Sequence, residues 1–177
     1  MTDPLGPLLD LPGIAGAVQS ARDAVRGVHQ HPTNRRGWPT TAAEASVRAA
    51  RSSAYLDGGN PEIPDDGDVA DPVLAGALRA AEALGPLLPV WQRAPLQALA
   101  RLHLLAAADL VDAADDERLG RPRAERGVAG RLDLLANLVT GATSAPGPVL
   151  AAVVHGELLT LAPFGVADGV EIGRAHV

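Results

Sequence analysis

His155, Glu157 and Asp168 flank a Pro163-Phe164-Gly165 turn, and this is the most informative stretch in the chain. A turn that feeds a helix N-terminus presents free backbone N–H groups, and the helix dipole adds positive potential there. Glycines such as Gly165 and Gly169 let phosphate oxygens approach the backbone closely. The chemistry that suits such a stretch is therefore the binding of a phosphate-bearing ligand. Proton transfer is less well served. His155 borders an apolar helix face, where a buried, hydrogen-bonded structural histidine is the expected use, and His103 has the same reading. Glu157 falls inside the stripe Leu150, Val154 and Leu161, so it needs an arginine or a helix N-terminus as partner, because an unpaired buried carboxylate is costly.

Other groupings lead nowhere chemically. His29 and His31 have no acidic or histidine partner at metal-binding spacing. Asp65-Asp66-Gly67-Asp68 lacks the twelve-residue pattern and closing glutamate of a calcium loop and reads as linker. Arg121 and Arg123 suit phosphate contact or, more simply, a solvated loop. There is no G-x-G-x-x-G after a strand and no P-loop, which removes nicotinamide and ordinary kinase or GTPase readings. No residue is assigned to catalysis or to a metal.

Composition sets the frame for these residues. The chain has 177 residues, the length of one domain. Aromatics make up only 2% against 47% hydrophobic residues, so the core must be Ala, Leu and Val, which favours closely packed helices. All 15 basic residues are arginine and the net charge is −6, with the basic residues dispersed. That pattern argues against a nucleic-acid partner. Absence of cysteine excludes disulfides and thiolate metal sites. No uninterrupted apolar run of membrane length is read, and residues 1–13 lack signal-peptide order. The expectation is a cytoplasmic protein with no membrane partner.

Hydrophobic spacing supplies the elements that must position the site. Gly13 to Gln30 reads as a helix ended by His31-Pro32, and Thr33 to Thr40 reads as a loop. Thr41 to Asp57 reads as a second helix, with Thr41 as N-cap and Glu44 completing a capping box; Gly58-Gly59 stops it. Asn60 to Ala70 reads as exposed linker. Asp71-Pro72 starts a helix through Leu74, Leu78 and Leu84, with Pro86 and Pro89 breaking its last turn. Pro95 starts another, through Leu99 and Leu102. Asp112 to Arg126 reads as a loop or short hairpin. Val128 to Val139 and Val149 to Leu161 read as helices around a turn at Gly141 to Pro148. The class is all-α.

The stretch 162–170 resembles the active-site loop of the Fic (Fido) family, whose pattern is H-P-F-x-D/E-G-N-G-R. Pro163 and Phe164 match its Pro-Phe, Gly169 matches its final glycine, and Asp168 stands at the asparagine position. His155 stands seven residues before Ala162, as a histidine does ahead of the family motif. Leu102-His103 resembles a Leu-His pair on an earlier helix, and Gly120 and Arg123 fit a G-x-x-R element before the flap. Ser52 to Gly58 resembles the inhibitory motif S/T-x-x-x-E-G of one subgroup, through Ser53, Asp57 and Gly58. The resemblance covers roughly residues 40–170, and its strength is the order of the matches. It implies a Fic-like helical bundle, incomplete at the C-terminus, with N-terminal helices over 1–60 and a partial core over 61–170. It implies nucleotide binding at Phe164, Gly165, Asp168 and Gly169, a flap at Gly120 and Arg123, and AMP transfer to a protein target.

The departures fall on the chemistry. Ala162 replaces the base, Val166 the metal-binding acid, Ala167 the first loop glycine, and Val170 the arginine. Loss of one transition-state donor costs roughly two to three orders of magnitude, and here base, metal ligand and arginine all go. Standard AMP transfer is therefore expected to be absent. The ligand implied is ATP or another nucleotide, with no firm place for Mg²⁺. The alternative is a catalytically silent helical module that binds a protein partner. The motif around Ser53 and Asp57 is expected to persist as a packing element, its carboxylate shortened and its arginine partner gone. Residues 171–177, written as GAG ATC GGA AGA GCA CAC GTC, match a common sequencing adapter, and the expectation is that they are adapter read-through rather than evolved sequence. Helices beyond Val170 are then missing, and the apolar face of 149–161 is expected to lack part of its cover.

Overall fold

Proline opens most of the helices in this chain, and it does so where its missing N–H costs nothing. Asp71 shows the device in full: its carboxylate accepts from the Leu74 N–H at 2.8 Å, Pro72 follows, and α4 runs Pro72–Trp91. The same carboxylate accepts from the Asn60 N–H at 2.9 Å and so ties the start of α4 to the end of the preceding helix. The computed structural model describes residues 2–172, with side chains to Val170. Residues 173–177, within the segment read as adapter, lie outside the described residues.

The order is α1 (Gly6–Leu9), α2 (Ile14–Gln30), α3 (Pro32–Leu56), α4 (Pro72–Trp91), α5 (Pro95–Ala107), a 3-10 segment (Ala113–Arg118), α6 (Val128–Asn137) with a π turn (Leu138–Ala142), α7 (Gly147–Leu161) and α8 (Asp168–Ile172). Among the described residues there is no strand, and the fold is all-α as expected.

Three local expectations are corrected. Residues 33–40 are helical, not a loop: His31 Nδ1 accepts from the Thr33 N–H, Pro32 starts α3, and the helix continues through a kink at Gly37 (φ −122°, ψ 22°). The kink lies beside Pro39, which cannot donate to the preceding turn. Thr41 is accordingly no N-cap; its hydroxyl donates back to the Gly37 and Trp38 carbonyls at 3.2 Å, inside the helix. Pro86 and Pro89 do not break α4. The residues four positions earlier, Glu82 and Gly85, are exposed, so their released carbonyls can be hydrated.

α3 ends as expected, in a full Schellman motif. Gly58 takes φ 85°, its N–H donates to the Tyr55 carbonyl at 3.2 Å, and the Gly59 N–H donates to the Ala54 carbonyl at 2.8 Å.

α4 and α5 form the tightest pair, because Gly76 lets the Ala106 carbonyl come to within 2.1 Å of where a Cβ would stand. Among the described residues α4 alone has the length and hydropathy of a membrane span. It buries Leu74, Gly76, Ala77 and Ala80 in the fold, and its Arg79 pairs with Asp109 at 2.8 Å.

Two apolar clusters result. One holds Leu99, Leu132, Leu135, Val154, Leu158, Leu161 and Phe164; the other holds Ala50, Ala54, Leu74, Ala77, Ala106, Ala107, Ala167 and Val170. The α7 face is thus covered: Val154, Leu158 and Leu161 are at most 6% exposed. α5, α6 and the loop after α7 supply the cover expected from helices further on. The N-terminus is pinned across the fold by Asp3, which accepts from Thr143 and Ser144.

Candidate functional site

The loop between α7 and α8 links the two clusters, through Phe164 on one side and Ala167 and Val170 on the other. Ala162 ends α7 in the left-handed region at φ 42°. Phe164 enters the first cluster at 5% exposure, and Ala167 and Val170 enter the second at 8% and 0%. A buried arginine at position 170 would face the Ala and Leu side chains of that cluster, so valine there is a packing residue.

Asp168 closes the loop on itself. Its Oδ1 accepts from the Phe164 N–H at 3.0 Å and its Oδ2 from the Gly165 N–H at 2.6 Å. Gly165 makes this turn possible with φ 77°. These amides are donors that a bound anion would use in a loop of this kind. Burial pushes the Asp168 carboxyl above the usual aspartate value, while the two amides and nearby Arg123 pull it back.

Arg123 works on the other side of the turn. Its Nε–H donates to the Ala162 carbonyl at 2.9 Å, its Nη2 to the Leu161 carbonyl at 2.8 Å, and its Nη1 pairs with Glu125. The Pro163 carbonyl accepts from the Arg123 N–H at 2.7 Å. The guanidinium therefore caps the carbonyl end of α7, where a cation is favoured.

Asp57 reaches the same place from α3. A Cβ built on Gly169 would stand 2.6 Å from Asp57 Oδ1, so glycine is needed for the carboxylate to lie there. Burial, and then the Asp168 charge, push the Asp57 carboxyl upward. Ser53, one turn earlier, is half-buried, and its carbonyl accepts from the Asp57 N–H.

Against the same loop packs His103, expected as a structural histidine and as part of the Leu102-His103 pair. It is 2% exposed, its ring stacks on Phe164 with centroids 4.2 Å apart, and its Nδ1 accepts from the Gly120 N–H at 2.9 Å. With Nδ1 accepting, the proton sits on Nε2. Nε2 is buried on the side of the Val166 carbonyl without a well-formed hydrogen bond. Burial holds this imidazole below the usual histidine value, partly offset by that carbonyl. Gly120 takes φ 72° and leaves no room for a larger residue against the Ala100 carbonyl, 3.1 Å from a built Cβ.

The structure thus brings together Phe164, Gly165, Asp168, Gly169, Asp57, Gly120 and Arg123, with Ser53 and Gly58 just behind on the end of α3. It leaves Arg121 and His155 out of the loop's described hydrogen bonds. Glu157 finds the arginine its position called for: Arg131 pairs with it through two bonds, at 2.5 and 2.8 Å, joining α6 to α7. Both remain partly exposed, so the pair is a surface strap rather than a buried charge. Among the described residues no group of three or more His, Asp or Glu side chains could hold a metal ion. The only signal for the closing role of Asp168 was a carboxylate three residues after a Pro-Phe-Gly turn, a spacing compatible equally with ligand binding.

No known family model, curated protein or solved structure matches this chain.

Proposed function

We propose that this is a divergent Fic-like helical protein whose loop has become a structural clasp, and that it neither transfers AMP nor holds a nucleotide there. On this reading its biological role is that of a catalytically silent, protein-binding helical module. The observation that carries the proposal is the placement of the Asp168 carboxylate on the Phe164 and Gly165 amides. A phosphate would have to displace an internal acceptor of the same charge. It would also approach Asp57, a second carboxylate, while Arg123 beside the turn is committed to α7 and Glu125. At position 162 a methyl group stands where the family base would be, and it cannot accept a proton.

The test is thermal unfolding of the chain with and without millimolar ATP and Mg²⁺, together with transfer of labelled AMP to itself and to a protein extract. A ligand stabilises only the state it binds, so the expected result is an unchanged midpoint and no label. A rise in midpoint that disappears in Gly165→Val would overturn the proposal.

A further inference from the structure

Between Val18 and Ala50 no residue is buried. The outer half of α2 and the first half of α3 therefore form a helical arm, fastened to the rest of the fold at its base. Its two helices meet through His29 and Trp38, whose rings lie 4.8 Å apart. Val25, Val28 and Trp38 stay 57%, 51% and 44% exposed.

The arm also differs in charge from the rest of the chain. Residues 22–47 hold Arg22, Arg26, Arg35 and Arg36 against Asp23 and Glu44, a net +2 within a chain of net −6, which leaves −8 for everything else. Among the described residues, Arg22, Arg35 and Arg36 form no ion pair.

The opposite end of α3 carries the complement. Tyr55 and Leu56, 68% and 85% exposed, line with Arg48, Arg51, Ser52 and Pro61 a groove of about 500 Å³, where Arg51 Nε–H donates to the Pro61 carbonyl, so the negative charge comes from the segment beside it. The exposed connection that follows presents Glu62, Asp65, Asp66 and Asp68, likewise without an ion pair among the described residues. Trp38 and Leu56 are eighteen positions apart on α3. That is about five helical turns, or roughly 27 Å, so the two surfaces cannot meet within one chain. A two-fold axis across α3 brings each against the other's complement, twice per dimer.

We propose that the arm is the docking surface for a second copy of this chain. Trp38 and Val28 seat on the partner's groove, and the arm arginines face the partner's 62–68 carboxylates. The pairing is independent of the loop reading above.

Sedimentation of the full chain at low and high ionic strength tests it. The expected result is a dimer whose dissociation constant weakens about tenfold or more in high salt, because exposed charge pairs are screened. The variants R22E/R35E/R36E and D65R/D66R/D68R should each be folded monomers by circular dichroism. Mixed in equal amounts they should recover a heterodimer, since each arm then meets an opposite charge. A parent chain that is monomeric at low salt, reversals that stay dimeric, or a mixture that fails to associate would each sink the proposal.

Discussion

Asp168 accepts the Gly165 N–H at 2.6 Å, and this bond decides what the loop can do. The Phe164 and Gly165 amides, already satisfied by this carboxylate, are not free donors for a ligand. Val170 and Ala167 follow the same logic, burying apolar surface in the second cluster at 0% and 8% exposure.

Replacing Asp168 with alanine should therefore destabilise the fold. Two amides lose their acceptor, and each charge-assisted bond is worth about 1.5 kcal/mol or more before hydration repays part of it. A net loss of about 2 kcal/mol is expected in urea unfolding. Asp168→Asn keeps one acceptor oxygen and should lose about half of that. An unchanged midpoint in both variants would show that the carboxylate is not a structural acceptor.

Arg123 should matter as much, for a different reason. In Arg123→Ala the Leu161 and Ala162 carbonyls lose their donors at a partly buried helix end, at a cost of about 2 kcal/mol. Lysine restores the charge but not the fork that reaches two carbonyls, so Arg123→Lys should recover less than half. Full recovery by lysine would mean that only charge at the helix end counts.

The order of helices was legible because apolar spacing, Asp71-Pro72 and Gly58-Gly59 each encode a local physical requirement. The first half of α3 was not, since Pro32, Gly37 and Pro39 are all local breakers, and only the kinked continuation through Gly37 accommodates them. At the loop, the sequence pointed to Phe164, Gly165 and Asp168 without fixing their use. Asp168 could face a ligand or its own backbone, and only the chain path after Gly165 decides between them. The partners of His103 were not legible, because Gly120 and Phe164 are distant in sequence.

Gly76→Ala should be among the most damaging single changes. The added methyl would stand 2.1 Å from the Ala106 carbonyl oxygen, a backbone atom that cannot move without parting α4 from α5. Overpacking of this kind costs about 3 kcal/mol, against typical total stabilities of about 5–15 kcal/mol. Gly85→Ala, on the same helix with open space around it, should be neutral or slightly stabilising. Equal effects of the two in thermal unfolding would contradict the close crossing.

Asp57→Asn should stabilise the protein at neutral pH. Burial and Asp168 raise the folded carboxyl above its ordinary 3.8, so the charged form is the one the fold disfavours. Asp57 is exposed on one side, which limits the gain to about 0.5 kcal/mol. As pH falls through the folded value toward 3.8, Asp57 takes up its own proton and the advantage of asparagine should vanish. A gain that persists below pH 3.8 would come from something other than charge.

His103 sets the opposite slope at higher pH. Its folded value lies below the ordinary 6.5, so the unfolded chain binds the proton first, and stability falls as pH drops below 6.5 toward the folded value. The raised carboxyls of Asp57 and Asp168 contribute in the other direction, gaining as pH falls through their folded values toward 3.8. Urea midpoints should therefore decline from about pH 7 to pH 5, above the range in which the carboxyls of Asp3, Asp71 and Glu157, held below their ordinary values, begin to cost stability. His103→Asn keeps an acceptor for the Gly120 N–H but gives up the stack on Phe164. It should be less stable at pH 8 by about 1–2 kcal/mol, and it should lose the slope around 6.5. If the slope survives in His103→Asn, the titrating group is elsewhere and His103 is not the pH-sensitive support of the loop.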